Sequence, residues 1–166
     1  MERLENSRWG FESNCFVCEE KNPAGLGLEF FVDRDDGAVV ADFSLDQRFS
    51  GAPSYVHGGI VLAVLDEAMA WATIALAGSW AVTKETTTRF RAPVQVGGKY
   101  RVRAEVERDD GKELQCRAEV TNEENVRCAT AAATFVPLGP AQAVDAIGTT
   151  VTGEDAAFVR ETGRDE

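Results

Sequence analysis

The sequence predicts an α+β protein in which an antiparallel sheet wraps around one long central helix. Three observations predict it. Residues 60–77 form an apolar run broken only by Asp66, Glu67 and Thr73. Segments on both sides of that run alternate apolar and polar residues, the period of a half-buried strand. Asp-Gly pairs separate several of those segments, and that pair favours the tight turn of a hairpin.

The elements follow in chain order. Leu26, Leu28, Phe30 and Val32 alternate, "DRDDG" turns the chain, and Val39, Ala41, Phe43 and Leu45 alternate again, which reads as a hairpin. The helix comes next. A helix apolar almost all round has to be covered on most sides, so it is expected to be fully buried. After it, "WAVTKETTTRF" is rich in Thr and Val, as strands are. Tyr100, Val102, Ala104 and Val106 alternate with charged residues, and "RDDGK" turns the chain. Leu114, Cys116, Ala118 and Val120 continue, "TNEEN" turns again, and "VRCATAAATFVP" closes the sheet. The expected order is two strands, one helix and about four strands.

Composition sets the outer bounds. The chain has 166 residues, enough for one domain with its own core. This divides into an N-terminal segment (1–25), a sheet-and-helix domain (26–138) and a tail (139–166). The tail holds six acids and two bases, which suggests a loose acidic segment with at most a short helix near Glu154 to Glu161. The formal net charge of −11 argues against nucleic acid as a partner, because phosphate backbones are bound by clustered Lys and Arg. The apolar run has the minimum length for a membrane span, but two adjacent acids near its middle would each cost about 2.5–3.5 kcal/mol in lipid. With no apolar leader in "MERLENSRWGFESN", the expected address is the cytoplasm, with reduced cysteines and no membrane contact.

Chemistry concentrates at "YVHGGIVLAVLDEA", residues 55–68. Gly58 and Gly59 stand where the helix should begin. A helix N-terminus offers N–H groups without internal acceptors, and glycine lets a carbonyl oxygen approach them. The same pair would also serve simply to turn the chain. Asp66 lies seven residues after Gly59, on the same face but about 10 Å along the axis. One carbonyl cannot touch both within a single chain. A two-fold dimer with antiparallel helices brings the Gly59 end of one chain near Asp66 of the other. Glu67 points about 100° away around the helix and fits a structural acid better, although it also counts among the candidate substrate contacts. His57 is the single histidine; it is a candidate acid/base, but shaping the loop or capping the helix through a ring nitrogen fits it better.

These residues carry a resemblance. "VHGGIVLAVLDEA" resembles the His-Gly-Gly signature of the PaaI-like (phenylacetate-pathway type) hotdog-fold acyl-CoA thioesterases. The likeness runs over about residues 13–137 and includes "CFVCEEKNPAGLGL" and "AVTKETTTRFRAPVQVGG". It implies a hotdog fold, a homodimer or dimer of dimers, and acyl-CoA as substrate, with no cofactor beyond the coenzyme A that belongs to it. The carboxylate nine residues beyond the motif His, here Asp66, would be nucleophile or general base. The glycine after the His, here Gly58, would give the oxyanion amide. The hydroxyl ten residues before the strand-ending Pro93, here Thr83, would orient the attacking water. The chain departs from the pattern at Gly51, where some members have Asn, at Ala70, where some have Thr, and at Glu19, where the Cys-x-x-Cys subgroup has Gly. Hotdog-fold dehydratases, and a hotdog domain that binds acyl-CoA without turning it over, are the alternatives.

Two further features invite a role. Lys84, Arg89, Arg91, Lys99, Arg101 and Arg103 fall within twenty residues holding one acid, Glu85. Arg89, Arg91 and Arg101 are candidate contacts for coenzyme A phosphates, against the alternative of a solvated sheet face. Cys15 and Cys18 form a lone Cys-x-x-Cys. Structural zinc takes four ligands, and Cys116 and Cys128 stand singly on strands, so no metal is expected.

Overall fold

The computed structural model describes residues 1–6 and 13–148. Nine strands and two helices follow in order: β1 (Glu2–Leu4), β2 (Phe30–Asp33), β3 (Ala38–Phe43), β4 (Ser50–Ala52), β5 (Tyr55–Val56), α1 (Gly58–Ala75), β6 (Ala81–Phe90), β7 (Tyr100–Asp109), β8 (Leu114–Asn122), β9 (Arg127–Pro137) and α2 (Pro140–Ile147). Seven strands make one antiparallel sheet in the order β1-β2-β3-β7-β8-β9-β6, curved around α1; β4 and β5 pair separately. This is the hotdog architecture the sequence predicts.

The turns form for local reasons. At the β2–β3 turn the Asp33 carboxylate accepts from the amides of Asp35 and Asp36, and Gly37 takes φ 61°, a left-handed value that favours glycine. Asp110 does the same at β7–β8, accepting from Lys112 and Glu113. Asn122 accepts from Glu124 and Val126 at β8–β9.

One face of α1 fills the sheet's concave side. Val61, Val64, Leu65, Ala68 and Ala72 recur at helical spacing and are buried with Met69, Trp71, Thr73 and Ile74. They meet Phe30, Val102, Leu114, Val120 and Phe135 from four strands. Burying a side chain the size of Leu65 contributes about 1.5–3 kcal/mol. Gly78, at φ 59°, turns the chain away from the helix end.

Several expectations need correcting. The helix is not fully buried: nine of its residues are, while Ile60, Leu62, Ala63, Asp66, Glu67 and Ala70 remain partly exposed on the opposite side. By length and composition α1 could cross a membrane, yet half of it lies inside this fold. It starts at Gly58, where the glycine pair is expected to begin it. Leu26 and Leu28 precede β2, although Leu28 is buried. The N-terminal segment contributes β1 to the sheet edge. The tail begins with α2, where Pro140 occupies the first turn, the Gly139 amide donates to the Gln142 side-chain Oε1 at 2.9 Å, and Ala143 is buried. The expected helix near Glu154 to Glu161 lies outside the described residues.

Candidate active site

The loop before α1 fixes its entry. His57 donates its amide to the Phe49 carbonyl at 2.9 Å, and Val56 donates to Val94 at 2.8 Å. His57 then caps the helix: its Nδ1 accepts from the Gly59 amide at 2.9 Å. A Cβ on Gly59 would lie 3.1 Å from that nitrogen, a tight contact from which the ring would have to shift by a few tenths of an ångström. Gly51 is similarly constrained, since a Cβ there would sit 3.0 Å from the His57 Cα. His57→Ala should lower the thermal midpoint by the loss of one cap, about 0.5–2 kcal/mol, while His57→Asn recovers most of it; thermal unfolding followed by circular dichroism checks both.

With Gly59 capped, Gly58 is the amide left over. It is the first helical residue, and its N–H has no acceptor among the described residues. A Cβ on Gly58 would lie 3.5 Å from the Phe90 ring, so the far end of β6 flanks this amide.

The near end of β6 flanks the acid. Thr83 donates its hydroxyl hydrogen to Asp66 Oδ1 at 2.7 Å. Thus α1 and β6 run antiparallel, with Gly58 beside Phe90 and Asp66 beside Thr83. Asp66 Oδ2 has no partner among the described residues. The pair sits on the open side of α1: two cavities of 610 and 580 Å³ lie along β2, β3 and β7 and include none of Gly58, Asp66 or Thr83.

Glu67 faces elsewhere. Its Oε1 lies 3.4 Å from the Cys15 sulfur, and its carboxyl is pushed up to about 8 by burial and by that sulfur. It belongs with the N-terminal segment and not with the Asp66–Thr83 pair. The structure also divides the basic cluster. Arg101 makes a bidentate pair with Asp42, both bonds 2.7 Å, on β7. Lys84 pairs with Glu113, Lys99 with Glu123, and Arg103 with Asp36 and Glu105. Strand β7 lies three positions from β6 in the sheet, about 14 Å away. Arg89 and Arg91 flank Phe90 beside the Gly58 amide and make no ion pair among the described residues.

The comparisons with known proteins bear on this geometry. Residues 54–129 match the thioesterase superfamily. The matched segment, just under half of the chain, is similar to that superfamily's domain, and the fold is the hotdog fold. That match begins just before His57 and ends in β9, so it spans the helix entry, Asp66 and Thr83. Among solved structures, a phenylacetic acid degradation-related protein from Ralstonia eutropha JMP134 is 29% identical, with TM-score 0.59, covering 67% of this chain and 85% of the other. A Streptococcus mutans UA159 protein, smu.793, bound to acetyl-CoA is 19% identical, with TM-score 0.59, covering 62% and 82%. The thioesterase superfamily protein RHA08564 is 21% identical, with TM-score 0.65; the match covers 70% of this chain and only 56% of that one. Comparison with curated proteins finds no match.

Proposed function

We propose that this chain hydrolyses acyl-CoA thioesters, as a dimer or dimer of dimers. The observation that carries the proposal is the Asp66 carboxylate oriented by the Thr83 hydroxyl at 2.7 Å, on a helix whose first amide is unpaired. Asp66 Oδ2 attacks the thioester carbonyl or takes a proton from the attacking water, and the Thr83 bond to Oδ1 fixes its direction. The Gly58 amide receives the oxyanion that forms. The carbon–sulfur bond then breaks and coenzyme A leaves as its thiolate; where water attacks, the free acid forms at once, and where Asp66 attacks, water then hydrolyses the acyl–Asp66 anhydride to the free acid.

One chain cannot assemble this site, because Gly58 and Asp66 are eight residues apart along α1, about 12 Å. The supporting features lie on one side of the molecule. The outer side of α1 is apolar and partly open. Strand β6 ends the sheet as a ten-residue edge whose only buried residue is Ala81, and a long unpaired edge with exposed Val82 and Phe90 is a pairing surface. A two-fold axis there places Gly58 of the partner subunit near Asp66.

Coenzyme A is supported as part of the substrate by the acetyl-CoA-bound relative and by the two unpaired arginines near the Gly58 end. Arg89→Glu and Arg91→Glu should raise KM more than they lower kcat, because phosphate contacts far from the carbonyl give uniform binding. Arg101→Glu should leave KM unchanged, since its charge is already met by Asp42. Steady-state kinetics at two salt concentrations separates the three. Incubation with a panel of acyl-CoAs, read by released thiol, tests the activity itself. Intact acyl-CoA bound to stoichiometric protein after prolonged incubation would establish a binding domain instead. The hydratase alternative is disfavoured by His57, whose Nδ1 already serves as the helix cap.

A further inference from the structure

The sulfurs of Cys15 and Cys18 and one carboxylate oxygen of Glu67 all lie within 4.8 Å of one another. Cys15 and Glu67 are 52 positions apart in the chain, and the fold brings them together on the side of α1 away from Thr83.

The N-terminal segment is built to hold the two sulfurs there. Leu26 donates its amide to the Phe16 carbonyl at 2.7 Å, and Leu28 donates to Val17 at 2.8 Å. Those bonds clamp residues 16–17 against the strand entering the sheet. A Cβ on Gly25 would come within 2.7 Å of the Phe16 oxygen, so the clamp depends on that glycine. Inside the turn, the amides of Val17 and Cys18 both point at the Cys15 sulfur, at 3.3 and 3.4 Å. Two backbone donors on one sulfur favour its thiolate, and the Cys15 thiol is held down at about 5 by Cys18 and these amides, against its partial burial. The Cys18 thiol is pushed up by Cys15, by burial and by Glu67.

The cluster therefore gathers acidic groups and no cation. Glu67 makes no ion pair among the described residues, and its neighbours Cys15 and Asp66 both push its pKa upward. Such a group either keeps a proton or takes a positive ion.

We propose that Cys15, Cys18 and Glu67 bind one divalent cation of the borderline-soft class, zinc above all, which pins the N-terminal segment to α1. The donor set selects the metal: two thiolates with one carboxylate suit zinc and its cobalt analogue, whereas magnesium and calcium take oxygen ligands. The geometry suits it as well. Zinc holds sulfur at about 2.3 Å and carboxylate oxygen at about 2.0–2.2 Å, so tetrahedral ligand atoms lie about 3.5–3.8 Å apart. The Cys15 sulfur is 3.4 Å from Glu67 Oε1. Three protein ligands leave the fourth position for water. Thiolate and carboxylate ligands bind only when deprotonated, so binding strengthens as pH rises. Counting cysteines in the sequence leaves the pair two ligands short; the fold supplies Glu67 as a third.

Titrating cobalt into the full chain, stripped by chelator and kept reduced, tests this without reference to hydrolysis. A sulfur-to-cobalt charge-transfer band should saturate at one equivalent per chain and be displaced by zinc. Cys15→Ser and Cys18→Ser should each abolish it. Glu67→Gln should weaken binding by at least about tenfold, since even outer-shell losses cost that much. Zinc should raise the thermal midpoint of the wild type and leave that of Cys18→Ser unchanged. Absence of the band in the folded wild-type chain, with no effect of zinc on its midpoint, would overturn the site. Equal affinity in Glu67→Gln would overturn the three-ligand assignment.

Discussion

Asp66→Asn should reduce kcat for acyl-CoA hydrolysis by at least about 10²–10⁴, the usual range for general-base help, and by more if Asp66 is the nucleophile. The substitution is a clean probe because Asn keeps the oxygen that accepts from Thr83 at 2.7 Å and removes only the charge. Acyl-CoA binding and the thermal midpoint should therefore hold. Glu67→Gln is the internal control: it lies one residue away but faces Cys15, so hydrolysis should persist. Turnover and unfolding measured on the same preparations decide among three accounts. Retained kcat in Asp66→Asn with a dead Glu67→Gln would mean that the other acid does the chemistry. Activity in both would remove this helix face from catalysis. A midpoint that falls in step with activity would make Asp66 structural.

Legibility in the sequence falls with the distance that each contact spans. The alternation in Tyr100–Val106 and Leu114–Val120 is local, and the Asp-Gly turns are local, so β7, β8 and their connection are legible. The cap is legible too, since His57 and Gly59 are two residues apart. Strand β6 shows the limit of periodicity. Thr and Val mark it as a strand, but nothing in "AVTKETTTRF" says that it ends the sheet and buries only Ala81. Arg101 shows it again: composition sees a free cation in a basic stretch, while the fold sets Asp42 against it from 59 residues away. The second helix had its signals, Pro140 at the first turn and Gly148 at φ 73° after the last, and the acidic composition of the tail outweighed them. Glu67 is the most instructive case. Helical geometry turns it away from Asp66, but only the path of residues 13–28 reveals that it meets two sulfurs.

Gly58→Pro should lower kcat by about 10²–10³, the loss of one oxyanion donor, while leaving α1 intact. Proline is well suited to the first helical position, where its missing N–H has no intrahelical acceptor. The residue before it must be extended, and His57 already is, at φ −60° and ψ 133°. The added Cβ meets only the Phe90 ring at 3.5 Å, an ordinary contact. This variant and Asp66→Asn then report on whether the site is shared. Each homodimer lacks one group at both sites and should be nearly inactive. In a mixed dimer, the Asp66→Asn chain offers its Gly58 amide to the intact Asp66 of the Gly58→Pro chain, which restores one site in two. Random mixing makes about half of the dimers mixed, so about a quarter of wild-type activity should return. Co-expression with two affinity tags, followed by sedimentation to confirm the assembly, isolates the mixed species for assay. If the purified mixed dimer is as inactive as its parents, both groups act within one chain or not at all. A fully active wild-type monomer at assay concentration would dispose of the shared site directly.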